Sequence, residues 1–138
     1  GTKNGALIGE AIVFNNLELN ENFRFHIKQK GGMLAKGRLI GIQFAEMFRE
    51  NLFFEMGHYA NLQAKKLANG ISQKGYPFLS EPSSNQLFPI FSTKLIEQLQ
   101  QHFDFIVWEK VDEQHSAIRL VTSWATAEEQ VENFIKSI

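Results

Sequence analysis

Two residues in this sequence have neighbours that suit them to covalent or anion chemistry. The first is Lys3, in "TKNG", set between Thr2 and the pair Asn4–Gly5 just ahead of two apolar runs. A lysine amine beside a hydroxyl residue and a glycine could form a Schiff base, provided desolvation or a nearby positive charge keeps the amine neutral. The glycine lets a flat group come close to the backbone. The second is Arg119, in "SAIRLVTSW", where it alternates with Ile118 and Leu120 and shares a strand face with Ala117 and Val121. A guanidinium on a partly apolar strand face needs an anion. Glu109 of the preceding strand could supply it as a cross-strand ion pair, or a substrate carboxylate could, held by two parallel N–H bonds. Lys3 likewise also reads as a solvated turn residue. By themselves the residues leave both pairs of readings open.

Other chemistries find little support. The four histidines, His26, His58, His102 and His115, stand far apart with no i, i+4 partner, which argues against a metal site built from them. Cysteine is absent, which excludes disulfide scaffolds and thiolate chemistry and fits a cytoplasmic setting. A net charge of −1 with scattered basic residues gives no electrostatic case for nucleic acid or an acidic membrane surface. No window approaches transmembrane length, and neither a GxSxG nor a GxxxxGK motif occurs. The 13 phenylalanines are spread along the chain and read as core. At 138 residues, 43% hydrophobic and 21% charged, the chain is one domain or a piece of a larger protein.

The elements that must position Lys3 and Arg119 differ in kind. After Lys3, "ALIGEAIVF" (6–14) reads as two short strands buried on both faces, because its apolar character is continuous. Residues 15–30 read as a turn into a helix, and 35–50 as a second helix that Asn51 breaks. A long amphipathic helix over 52–75, closed by Gly75, follows. Then the texture changes. "YPFL" is a short strand, "QLFPIF" a strand whose Pro89 hints at an edge or bulge, and "STKLIEQLQQHF" a helix capped by Ser92 or Thr93. "DFIVWEKV" and "SAIRLVTSW" are strands joined by "DEQH", and a last helix is capped by Thr126 with Glu129 in capping-box position. The order after Gly75 predicts an α+β unit with a mostly antiparallel sheet covered on one face by helices. Residues 1–50 do not look self-sufficient, so the boundary is expected within or just before the helix 52–75.

The wording of "GTKNGALIGEAIVF", "KGGMLAKGRLIGIQFAEMF", "NQLFPI" and "IRLVTSWAT" resembles the low-specificity threonine aldolase and β-eliminating lyase family. These are pyridoxal-phosphate enzymes of the aspartate-aminotransferase fold. The resemblance covers essentially the whole chain, but only the later part of such an enzyme. It implies an α/β–α+β fold class: residues 1–51 as the end of the large cofactor domain and 52–138 as the small C-terminal domain, entered through the long helix.

The resemblance also implies roles. Lys3 matches the lysine that carries the cofactor, and Thr2 the hydroxyl residue before it. Arg119 matches the arginine that binds the substrate α-carboxylate. "KGGML" is similar to a loop that reaches the cofactor phosphate of a neighbouring subunit, with Lys28 or Lys30 as the cation. Leu34 stands where common members have arginine, and Arg38 is the substitute one turn later. The implied activity is cleavage of β-hydroxy amino acids such as threonine to glycine and an aldehyde, by a homo-oligomer, a dimer or tetramer. A β-eliminating lyase of the same fold and a non-catalytic α+β interaction module are the alternatives. The carboxylate expected on the pyridine nitrogen is not found before the lysine, since the only aspartates are Asp104 and Asp112. The fragment alone is therefore expected to be inactive.

Overall fold

One strand organises the second half of the chain. In a computed structural model, which describes residues 1–138, β4 (His115–Val121) pairs antiparallel with every other strand of a four-stranded sheet. Its neighbours are β1 (Gln86–Leu87) and β2 (Ile90–Ser92) in succession along one edge, and β3 (Ile106–Lys110) along the other. Alternation follows the sequence: Ile118 and Leu120 are buried, whereas Arg119 and Val121 project from the opposite face. "QLFPIF" is therefore two strands, interrupted where Pro89 lacks an N–H, although its carbonyl still accepts from Ile118 N at 3.0 Å. "YPFL" is a single bridge, Phe78 to Pro89, not a strand.

Three helices cover the inward face. Helix α3 (Leu52–Gln73) buries Ala64, Leu67, Ala68 and Ile71 at helical spacing against Ile118, Leu120 and Phe91. It ends at Gly75, whose φ of 84° suits a residue without a β-carbon. Helix α4 (Thr93–Leu99) starts at Ser92, whose hydroxyl accepts from Leu95 N at 3.3 Å. Helix α5 (Glu128–Ser137) inserts Val131 and Phe134. Its expected capping box is absent: Thr126 Oγ1 accepts from Ser123 N instead, and Ala127 stands at the helix start without a side-chain cap.

The chain divides into two units, Gly1–Phe54 and Glu55–Ile138, and the division falls in the first turn of α3. The first unit overturns one expectation. Residues 6–14 form no strand and, Ala6 apart, are not buried; Leu7 is 90% and Val13 82% exposed. A strand needs a neighbour to bond to, and this unit contains none. Gln43 holds the segment instead, its side-chain oxygen accepting from Leu7 N at 2.7 Å. The helix expected over 15–30 is shorter. A 3-10 turn at Leu17–Asn20 and a left-handed Asn22 precede α1 (Phe23–Gln29). Helix α2 (Arg38–Phe48) lies inside its expected range, and Glu50 and Asn51, both left-handed, separate it from α3.

Candidate active site

Arg119 sits on the outward face of β4, between side chains contributed by both flanking edges. Its Nε donates to Gln86 Oε1 at 3.1 Å, and its guanidinium lies 5.8 Å from the centroid of the Trp108 ring. Gln86 is registered opposite Val121, which shares Arg119's face, so the contact is a diagonal one across β1 and β4. Trp108 stands at the bulge between Val107 and Glu109 on β3. Glu109 is registered opposite Ala117, two residues before Arg119 on the same face, yet Arg119 forms no ion pair with it or with any other carboxylate of the chain. Both Nη groups lack a protein acceptor. Arg119 also lines an open cleft of about 650 Å³ that includes Thr122, Thr126, Gln130 and Asn133.

Lys3 and Thr2 lie on a short 3-10 turn, Thr2–Asn4, closed by Gly5 at φ 100°. Asn4 anchors the turn by donating to the Phe53 carbonyl at 3.1 Å, while Lys3 is exposed and forms no ion pair. The proposed phosphate cations separate into two groups. Arg38, the first residue of α2, lines a cleft with the Gly32–Ala35 turn and Arg24 of α1; Lys28 and Lys30 do not line it. Sequence reasoning passed over Arg24. Its position three residues before Ile27, which lines the same cleft, was the available signal. Gln86 and Trp108 were also missed, because only strand register brings them to Arg119.

No protein-family model matches the chain. A low-specificity L-threonine aldolase of Pseudomonas aeruginosa is 28% identical over 143 aligned residues, spanning all of this chain and 39% of that protein. One from a Pseudomonas species is 27% identical with the same coverage. A solved structure of Leishmania major threonine aldolase aligns with a TM-score of 0.80 and 40% identity, over 83% of this chain and 34% of that one. The chain is similar to the C-terminal part of the threonine aldolases. It spans about two-fifths of the length of the curated threonine aldolases it matches. The helices and antiparallel sheet described above accord with the small C-terminal domain of the pyridoxal-phosphate fold to which the Leishmania threonine aldolase structure points.

Proposed function

We propose that this chain serves as the C-terminal part of a pyridoxal-phosphate lyase that cleaves β-hydroxy amino acids such as threonine to glycine and an aldehyde. The observation that carries the reading is Arg119, a guanidinium held on two sides with both Nη groups unpaired. Similarity to threonine aldolases over the full chain supports it. Glu109, the cross-strand partner that the non-catalytic reading offers Arg119, forms no ion pair with it.

The donor set of the first unit fits attachment of an aldehyde cofactor. Lys3 offers a primary amine free of any ion pair, Thr2 a hydroxyl beside it, and Gly5 a left-handed backbone position close by. Lys3 would hold the group, with Thr2 beside the attachment point and Arg38 toward its phosphate, whereas Lys28 and Lys30 do not line the cleft that Arg38 shares with Arg24. Asp104 and Asp112 both belong to the second unit, so the first unit has no aspartate to offer the pyridine nitrogen. When bound, pyridoxal phosphate supplies an electron sink for charge left at Cα. Arg119 contributes orientation: two parallel N–H bonds fix the α-carboxylate and so decide which bond to Cα is presented for cleavage. A homo-oligomer in the cytoplasm completes the reading.

The test compares Arg119→Ala and Arg119→Lys in the complete cofactor-loaded enzyme. Turnover of threonine should fall by roughly two to three orders of magnitude in both, since an ammonium cannot reproduce the planar fork. The visible absorbance of the bound cofactor should persist. Unchanged turnover per folded molecule would overturn the assignment.

A further inference from the structure

The face of the sheet that bears Arg119 is arranged around it. Gln86 reaches it from one edge and Trp108 from the other, although the two lie on strands that never pair with each other. Trp108 is itself located: its ring meets Phe88, from the break between β1 and β2, with centroids 5.3 Å apart. Ala117 lies between these strands and is fully buried, although its neighbours Arg119 and Val121 on this face are not. A tryptophan on one edge and a phenylalanine on the other can meet across β4 because Ala117 has so small a side chain. Trp108 is the extra residue of the β3 bulge, and its indole lies beside the Arg119 guanidinium on this face.

We infer that Gln86 and Trp108 are positioning residues that fix the Arg119 guanidinium so that its two Nη groups, and not Nε, meet the substrate carboxylate. The inference rests on the reading of Arg119 as the carboxylate grip. A guanidinium can bind a carboxylate side-on, through Nε and one Nη, or end-on, through both Nη groups. Gln86 Oε1 occupies Nε, which closes the side-on mode. The indole face fixes the guanidinium plane against rotation about the last side-chain torsions. What remains is a single fork aimed away from both supports. A carboxylate bound there is held in one plane, and the substrate loses less freedom than a floppy arginine would require it to lose on binding.

The experiment uses the complete cofactor-loaded enzyme and the variants Gln86→Met, Trp108→Leu, Trp108→Phe and Arg119→Lys. Gln86→Met keeps the length and removes the acceptor. It should raise KM for threonine about tenfold, the scale of one hydrogen bond to a charged group, with kcat changed less than about threefold. Trp108→Leu should act in the same direction, and Trp108→Phe should restore most of the loss. In the Arg119→Lys background Gln86→Met should add nothing further, because the group it positions is gone. A second readout needs no cofactor. The Arg119 Nε–H resonance of the 138-residue chain should exchange slowly with water and lose that protection in Gln86→Met. If Arg119→Lys raises KM but Gln86→Met leaves both KM and the Nε–H protection unchanged, the positioning inference falls while the carboxylate assignment stands. If Arg119→Lys itself leaves KM unchanged, the carboxylate assignment falls first and the inference with it.

Discussion

A β-carbon built on Gly70 of α3 would lie 2.5 Å from Ile135 Cδ1, 2.7 Å from Cγ1 and 2.9 Å from Cγ2 of the same residue on α5. The two helices therefore meet where one of them has no side chain. Three contacts to a single branched residue cannot all be relieved by turning its terminal methyl. Gly70→Ala should lower stability by about 1–3 kcal/mol through overpacking, despite the gain in helix propensity. Thermal melts of Gly70→Ala and of Gly70→Ala with Ile135→Val check this. The second change should recover part of the loss, and a neutral Gly70→Ala would contradict the packing.

The turn between β3 and β4 carries a pH dependence. Backbone N–H of Gln114 donates to Asp112 Oδ1 at 2.7 Å, and His115 lies 3.0 Å from both carboxylate oxygens. These bonds, the Gln114 one foremost, hold the Asp112 carboxyl below its ordinary range. Such a group adds stability above the unfolded carboxyl value and loses it as pH falls through the lower folded value. Chemical denaturation of the native chain and Asp112→Ala should therefore differ by a constant amount near neutrality. The gap should close only in acid, and a gap that widened there would be the wrong sign.

Lys66 links α3 to α5 through Glu128 and Glu132, each at 2.7 Å. The side chains are exposed, so salt screens them. Replacing Lys66 with Met should have little effect on the melting temperature at high ionic strength and a larger one at low. A salt-independent loss would mean that its aliphatic stem, not its charge, matters.

Arg24 and Arg38 share a cleft with the Gly32–Ala35 turn, and Lys28 and Lys30 do not line it. If that cleft meets the cofactor phosphate, Arg38→Ala and Arg24→Ala should weaken pyridoxal phosphate binding about tenfold or more in the complete enzyme. Lys28→Ala and Lys30→Ala should change it less than twofold. Equilibrium dialysis against the cofactor decides, and the reverse ranking would return the role to the lysines.

The first unit leaves much apolar surface in water, including Leu7, Val13, Leu17, Phe25 and Ile42, each more than two-thirds exposed. The 138-residue chain should therefore self-associate or bind a hydrophobic dye. Light scattering that found a monomer without dye binding would contradict this.

Local chemistry was legible at several places where a signal lay within a few residues. Ser92 three residues ahead of Leu95, Gly75 after an amphipathic run, and the alternation around Arg119 each led to an element that formed. Signals that depend on a distant partner were not legible. An apolar run such as 6–14 becomes a strand only if another strand adjoins it, and none does. The Thr126 hydroxyl had two possible acceptor roles, and the turn at Ser123 took it. The outward placement of Arg119 was readable from the alternation of its own strand. Gln86, 33 residues away, was not, because nothing but pairing register connects them.

The dependence of β1, β2 and β3 on β4, with no pairing among themselves, sets an order of events during synthesis. Three strands leave the ribosome before the only strand they can bond to. β1, β2 and β3 must wait without their ladder partner until 115–121 emerges, and β3, four residues ahead of it across the turn, is the first that can zip. Apolar Ile90, Phe91, Ile106, Val107 and Trp108 are uncovered throughout that interval.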